Sequence, residues 1–218
     1  MSRHEAVVNT GRAARPRGGL ADKRRAILAG ALTVFAREGY TRASIDAIST
    51  AAEVSTRTIY NHFEDKAALF EAVIQHSATQ VADDQIAIID RHFHKVTDLE
   101  ADLVAFGLAL AEPMTAEQAA HFALVRQINA ETGHIPQAAI AAWLETGPMR
   151  VQRELAGRLQ QLSERGLLQV PDPDRAALHL MLLISAADPA YRGAPPGEGE
   201  PAAAVRAGVR TFLHGHLS

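Results

Sequence analysis

Apolar residues recur at every third or fourth position along most of the chain, and alternating runs of β-branched residues are missing. The first spacing gathers apolar side chains on one face of a helix, whereas alternation is typical of a half-buried strand. The pattern therefore predicts an all-α protein. Turn-rich tracts at 1–20 and 189–201 indicate two mobile segments.

The first predicted helix covers residues 22–38, with Gly39 as its C-terminal cap. Ser44 and Ser55 are each expected to cap a short helix, because a serine hydroxyl accepts a hydrogen bond from a backbone amide of the first turn. Two short capped helices joined by a tight turn indicate a helix-turn-helix. A fourth helix is predicted to begin near Asp65.

The rest of the chain predicts a bundle of helices with apolar faces. Their expected ranges are 67–92, 98–111, 115–131, 136–165, 174–187 and 202–217. The segment 136–165 contains Gly147-Pro148, and proline removes a helical hydrogen bond, so a kink or break is expected there.

Charge is distributed unevenly along the chain. The net charge is −3, but residues 1–66 hold 11 Lys+Arg against 7 Asp+Glu, whereas residues 67–218 hold 11 against 18. The front third is therefore the candidate binder of a polyanion. There are no cysteines, which excludes disulfides and thiolate chemistry and is consistent with a cytoplasmic protein. No apolar run is long enough to predict a membrane span or a secretory signal.

Three runs of sequence resemble a known family. Residues 35–45 read FAREGYTRASI, residues 54–63 read VSTRTIYNHF and residues 65–70 read DKAALF. In order and spacing they resemble the DNA-binding domain of the TetR family of bacterial transcriptional regulators. The arginines of the first turn-rich tract predict a flexible basic arm at 1–20. The resemblance implies a three-helix DNA-binding domain with a helix-turn-helix at 21–66 and a C-terminal helical bundle for ligand binding and dimerisation at 67–218.

Two positions differ from the pattern of the family. Ser49 stands where alanine is common, and Glu53 where glycine is common. A left-handed backbone between the two short helices would cost a residue other than glycine roughly 1–2 kcal/mol. A slight reshaping of this turn is therefore expected.

The second short helix is the expected reader of base edges in the major groove. Arg57 is suited to guanine and Asn61 to adenine, whereas the threonine methyl groups are suited to thymine. The resemblance implies phosphate contacts for the residues matching Tyr60 and Lys66, and for the hydroxyls of Thr41 and Ser44 near the start of the first short helix. The candidate DNA-binding residues are Thr41, Ser44, Ser55, Thr56, Arg57, Thr58, Tyr60, Asn61, His62 and Lys66.

Each of these assignments has a structural alternative. Arg57 taken alone would be a solvated charge, and Tyr60 and Phe63 would be core residues in any three-helix unit. Four arginines of the arm are expected either to enter a minor groove or to raise nonspecific affinity, namely Arg3, Arg12, Arg15 and Arg17.

The C-terminal bundle offers weaker signals. Candidate ligand-binding residues flank the expected kink and combine apolar walls with polar groups: Phe106, Leu110, Phe122, Val125, Arg126, Asn129, Trp143 and Met149. Each could equally be an ordinary core residue, and Arg126 is expected to meet either an acid or an anionic ligand. Dimerisation is expected through Ala176, Ala177, Leu180, Met181, Leu183, Ile184, Val205, Val209, Phe212 and Leu213.

The sequence thus favours a regulator that is not an enzyme. No cofactor or metal is expected, because catalytic and phosphate-binding motifs are absent and His92-x-His94 lacks a suitable carboxylate. The favoured function is a homodimeric repressor that binds a palindromic operator in double-stranded DNA and is released by a small-molecule effector. The alternatives are a helix-turn-helix regulator without a ligand, and a helical ligand carrier or enzyme.

Overall fold

The computed structural model describes residues 18–112, 114–131, 133–185 and 200–216, and these ranges contain helices and no strand. The prediction of an all-α protein is confirmed. The helices are α1 (Gly18–Arg42), α2 (Ile45–Ala51), α3 (Thr56–Tyr60), α4 (Lys66–Phe93), α5 (Leu99–Leu110), α6 (Ala116–Ala130), α7 (Gln137–Thr146), α8 (Pro148–Glu164), α9 (Pro173–Ile184) and α10 (Glu200–His216). Residues 1–17 of the arm and 189–199 of the predicted loop lie outside the described residues.

Helix α1 is longer than the sequence predicts, but it is interrupted where its end is expected. Gly39 has φ 81° and ψ 172°, which is a conformation that favours glycine. Residues 40–42 add one more turn before α2. The break lets the chain change direction between the first helix and the helix-turn-helix.

Both short helices have the serine caps that the sequence predicts. The Ser44 hydroxyl accepts a hydrogen bond from the Ala47 amide at 3.1 Å, and the Ser55 hydroxyl accepts one from the Thr58 amide at 3.1 Å. Such caps satisfy amides that have no partner inside the helix. They fix where α2 and α3 begin.

The turn between α2 and α3 is not reshaped as expected. Glu53 adopts the left-handed conformation itself, with φ 53°, and is alone among the described non-glycine residues in having a positive φ. The Val54 amide donates to the Ser49 carbonyl at 3.0 Å, and the Glu53 amide donates to the Thr50 carbonyl at 3.2 Å. This pair of hydrogen bonds is the Schellman motif that ends many helices. The turn therefore keeps the geometry that glycine usually supplies.

Two hydrophobic clusters organise the molecule. The N-terminal core joins α1–α4 to α6 and α7 and includes Ile27, Leu28, Ala31, Leu32, Phe35, Ile48, Ile59, Phe63, Phe70, Leu124, Ile128 and Ala139. The C-terminal core joins the second half of α4 to α5, α8, α9 and α10 and includes Ile89, Phe106, Leu155, Leu159, Leu180, Val205 and Phe212. Because α4 belongs to both clusters and α6 packs on α1, the first three helices are held by elements from the rest of the chain.

The segment predicted at 136–165 is two helices. Helix α7 ends at Thr146, Gly147 has non-helical angles, and Pro148 begins α8. Proline is well placed in a first turn, where the amide that it lacks would have no partner. The expected break at Gly147-Pro148 is confirmed.

The residues expected to form a dimer interface lie mostly inside the subunit. Eight of the ten are buried in the C-terminal core, namely Ala176, Ala177, Leu180, Ile184, Val205, Val209, Phe212 and Leu213. For seven of them the prediction is wrong, because these side chains pack against their own subunit, whereas Phe212 also lines a groove between α9 and α10. The outward face of α9 instead exposes Leu178 (45%) and Leu182 (51%).

Candidate DNA-binding surface and C-terminal site

Helix α3 holds its predicted reading residues on its outer side. Ile59 is 1% exposed and anchors the helix in the N-terminal core, whereas Arg57 and Asn61 are exposed. Thr56, Thr58 and His62 are half-buried. The side chains of Arg57 and Asn61 are thus open to solvent, and the half-buried Thr56, Thr58 and His62 lie beside them in sequence.

Tyr60 and Phe63 lie in different environments. Tyr60 is 56% exposed, so its alternative reading as a core residue is wrong, whereas Phe63 is 6% exposed and is a core residue as expected. The guanidinium carbon of Arg24 lies 5.1 Å from the centre of the Phe63 ring. Arg24 is an exposed cation beside the helix-turn-helix that sequence reasoning missed, because it belongs to none of the family motifs.

Three of the hydroxyl candidates, Ser44, Ser55 and Thr58, are engaged at the ends of their own helices. The Ser55 and Thr58 hydroxyls lie 2.8 Å apart, and Ser44 and Ser55 each accept an amide as a cap. A capping hydroxyl uses an acceptor lone pair and keeps its own hydrogen for another partner. Ser44 and Ser55 are exposed at the start of α2 and α3.

Lys66 fastens the turn that precedes α2. Its ammonium donates hydrogen bonds to the carbonyls of Tyr40 at 3.0 Å, Ala43 at 3.2 Å and Thr41 at 3.4 Å, and it lies 4.8 Å from the centre of the Tyr40 ring. Burial raises the pKa of Tyr40, and the charge of Asp65 raises it further. Lys66 therefore has a structural role that the sequence did not indicate, while its phosphate contact stays a prediction.

The same turn is bound from the other side by Glu131, at the C-terminal end of α6. One carboxylate oxygen, Oε2, accepts the Thr41 backbone amide at 2.9 Å and the Thr41 hydroxyl at 2.8 Å. Burial raises the pKa of Glu131, but the two Thr41 hydrogen bonds and the charges of Arg42 and His134 outweigh burial and lower it overall. Sequence reasoning missed Glu131, because nothing local to it signals a partner 90 positions earlier.

The candidate ligand-binding residues are divided between the two cores and the surface, and their role stays a prediction. Phe106 and Leu110 belong to the C-terminal core, whereas Trp143 packs against the N-terminal core. Four others lie on α6, where Phe122 and Val125 are half-buried and Arg126 and Asn129 are exposed, and Met149 on α8 is 44% exposed. Arg126 makes no ion pair with the residues that the structure describes.

A polar pair lies where the two cores meet on α4. Ile74 belongs to the N-terminal core and Ala82 to the C-terminal core, and between them the buried Ser77 hydroxyl lies 3.0 Å from Nδ1 of the buried His121. Burial lowers the pKa of His121 to about 4, so its imidazole is neutral near pH 7. Within the described ranges, the indole Nε1 of Trp143 is also buried and has no acceptor. We call the Ser77–His121 pair the candidate C-terminal site, and Trp143 is a separate buried donor on α7.

Metal and membrane features are not found in the described residues. No group of three histidine or acidic side chains there could hold a metal ion. None of the helices within those ranges is both long and apolar enough to cross a bilayer.

Comparison with known proteins agrees with this architecture. Residues 27–73 match the bacterial regulatory proteins of the tetR family, and residues 101–215 match the C-terminal domain of AefR-like transcriptional repressors. The chain belongs to the TetR family. The second match alone covers more than half of the chain and begins in α5, so it rests on the C-terminal bundle and not on the helix-turn-helix.

Individual relatives lie at moderate sequence identity. The HTH-type transcriptional regulator UidR of Escherichia coli strain K12 is 29% identical over 157 residues, which cover 72% of this chain and 74% of UidR. A TetR-family transcriptional regulator of Mesorhizobium loti is 30% identical with a TM-score of 0.80, covering 94% of this chain and all of that structure. The flavonoid-responsive regulator FrrA is 26% identical with a TM-score of 0.68, covering 90% of this chain and 98% of its own.

These relatives are transcriptional regulators, and the family is not one of enzymes. The chain is a helix-turn-helix transcriptional regulator of the TetR family. The family match therefore excludes the alternative of a helical ligand carrier or enzyme. DNA is the partner that members of the family share.

Proposed function

We propose that this protein is a cytoplasmic repressor that binds a palindromic operator as a homodimer and leaves it when a small molecule occupies the C-terminal bundle. The observation that carries the proposal is the outward face of α3. Arg57 and Asn61 are exposed there, while Ile59 fixes the helix from behind. An exposed arginine next to an exposed amide suits direct reading of guanine and adenine.

The surface around α3 supports phosphate contacts on both sides of the groove. Tyr60 is more than half exposed, Arg24 lies over the ring of Phe63, and Ser44 is exposed at the start of α2. Contacts to phosphate fix the position of the helix and carry no sequence information themselves. Their replacement is therefore expected to weaken all duplexes alike.

The outward face of α9 and α10 supports the homodimer. A groove of about 380 Å³ there is lined by His179, Leu182, Leu183, Thr211, Phe212 and Gly215. Exposed leucines beside a shallow apolar groove favour packing against a second copy of the same face across a twofold axis. Two recognition helices related in this way would lie about 34 Å apart, which is one turn of DNA.

The candidate C-terminal site supports a neutral, flat effector. His121 is uncharged near pH 7, and the Trp143 indole N–H has no acceptor in the described part of the chain. A molecule with a hydroxyl or carbonyl on an aromatic ring would offer that N–H the acceptor that it lacks. FrrA, which resembles this chain at 26% identity, is described as flavonoid-responsive, so flavonoids are the first probes.

The test is selection of bound duplexes from a random DNA pool by the purified protein. We expect a palindrome with the wild type and with Arg91→Ala, an exposed arginine at the far end of α4, but not with Arg57→Ala. Addition of a flavonoid panel should then release the selected duplex. If Arg57→Ala recovers the same palindrome, α3 does not read the bases and the proposal is wrong in its main part.

A regulator without a small-molecule ligand is the second candidate, because the nominated residues are divided between the two cores and the surface. In that case no compound of the panel would release the operator or raise the melting temperature, and control would come from a protein partner or from the amount of repressor. The selection experiment gives the same palindrome under both proposals, so the release experiment separates them.

A further inference from the structure

The Thr41 donors are already occupied in the free protein. Thr41 is expected to contact a DNA phosphate, yet its backbone N–H and its hydroxyl both donate to Oε2 of Glu131, at 2.9 Å and 2.8 Å. Thr41 is exposed, and it lies three residues before the cap of α2. No other described residue on this turn offers two donors to a single oxygen.

A carboxylate oxygen and a phosphate oxygen are chemically alike in this setting. Both carry negative charge and both accept short, charge-assisted hydrogen bonds from amides and hydroxyls. The two hydrogen bonds and the nearby Arg42 and His134 charges lower the pKa of Glu131, so it is ionised at neutral pH. An anion thus already occupies the site at which the DNA backbone would bind.

The Glu131 carboxylate can reach this turn because residue 39 is glycine. A Cβ atom added at Gly39 would overlap Oε1 of Glu131, and it would also lie 3.2 Å from Oε1 of Gln127 on the same helix. Gly39 therefore gives the end of α6 room to reach the turn, besides its positive φ. The Glu131 amide in turn donates to the Gln127 carbonyl at 2.9 Å, which fixes the acid at the helix end.

We propose that Glu131 competes with DNA phosphate for the Thr41 amide and hydroxyl, so that the position of α6 sets the affinity for DNA. The proposal rests on the DNA-binding function argued above. When α6 lies as in this structure, the carboxylate holds both donors and repels the approaching phosphate. When α6 withdraws, the donors become free for DNA.

Helix α6 also connects this contact to the candidate C-terminal site. His121 lies near its start and Glu131 at its C-terminal cap, so a molecule bound at His121 acts on the same rigid element. A ligand that holds α6 against α1 would keep Glu131 on Thr41 and disfavour DNA. The ligand would then release the operator without touching α2 or α3.

The test compares operator binding by wild type, Glu131→Gln and Glu117→Gln, using fluorescence anisotropy on the duplex that selection recovers. Glu117 is an exposed acid on the first turn of the same helix, so it controls for loss of one negative charge. We expect Glu131→Gln to bind about three- to tenfold more tightly than wild type, because a neutral amide is a weaker competitor than a carboxylate. Glu117→Gln should bind like wild type.

A double substitution identifies the shared donors. In the Thr41→Val background the hydroxyl is absent, so the gain from Glu131→Gln should shrink, whereas a simple repulsion between Glu131 and DNA would leave that gain unchanged. Equal or weaker binding by Glu131→Gln, or an equal gain in Glu117→Gln, would overturn the proposal. Failure of the wild type to select any duplex would instead refute the DNA-binding function, and the competition with it.

Discussion

Replacing Glu53 with glycine should stabilise the protein. Glu53 occupies the left-handed position of the Schellman motif after α2, with φ 53°, and its exposed side chain makes no hydrogen bond or ion pair with the described residues. Glycine reaches this conformation without a steric cost. The substitution therefore removes strain and sacrifices no contact of the side chain.

The expected size follows from two opposing terms. Relief of the left-handed conformation contributes about 1–2 kcal/mol, and the greater freedom of glycine in the unfolded chain takes back about 0.4–1 kcal/mol. The net gain is about 0.5–1 kcal/mol. For a chain of this size, that corresponds to a rise of about 1–4 °C in the melting temperature.

A second helix end provides the matched control. Gly166 has φ 74°, its amide donates to the Ser163 carbonyl at 2.9 Å, and the following amide donates to the Leu162 carbonyl at 3.0 Å. Gly166 thus holds the same position after α8 as Glu53 holds after α2, and an added Cβ there meets nothing within 4 Å. Gly166→Ala should lower stability by about the amount that Glu53→Gly raises it.

Thermal unfolding followed by circular dichroism, at one protein concentration, measures both variants. We expect shifts of opposite sign and similar size. If Glu53→Gly leaves the melting temperature unchanged or lowers it while Gly166→Ala behaves as expected, Glu53 is not strained and the reasoning about this turn is wrong.

Three further perturbations follow from the packing. Gly30→Ala should destabilise the helix-turn-helix by about 1–2 kcal/mol, because the added Cβ would lie 2.7 Å from the backbone nitrogen of Ala52, the C-terminal cap of α2. Gly157→Ala, on the open face of α8, should be neutral or stabilising in the same unfolding assay. Burial lowers the pKa of His121 to about 4, so as the pH falls the unfolded chain takes up a proton at this residue before the folded protein does. The contribution of His121 to the free energy of unfolding should therefore be complete above about pH 6.5 and should fall by roughly 2–3 kcal/mol as the pH drops to 4. His121→Leu should reduce that loss in urea unfolding at several pH values. The Leu182→Glu variant should be monomeric in analytical ultracentrifugation, whereas Leu144→Glu, a change at another exposed leucine, should leave the dimer intact. If the Leu182→Glu variant is still dimeric, the interface lies elsewhere.

The sequence predicted the parts of the fold that local chemistry decides. The Ser44 and Ser55 caps, the break at Gly39 and the Gly147-Pro148 interruption each depend on residues within one or two helical turns. The structure agrees with all of them. The candidate reading residues were nominated from an equally local signal, a short contiguous run of sequence, and their role stays a prediction.

The parts that the sequence did not predict depend on contacts between distant segments. The carboxylate of Glu131 meets Thr41 across 90 positions, and the Ser77–His121 pair spans 44. Periodicity also did not show which apolar face of α9 packs inside its own subunit, because Leu180 on the inner face and Leu182 on the outer face are equally apolar. Only packing against α10 distinguishes the inner face from the outer one.

If the side chains of α3 read DNA sequence, Arg57 should control the ratio between the affinity for the selected palindrome and the affinity for a scrambled duplex. Measured at one salt concentration, this ratio should fall toward one in Arg57→Ala, while the affinity for the scrambled duplex changes little. An unchanged ratio in Arg57→Ala, with the variant folded, would mean that Arg57 of α3 does not read the bases.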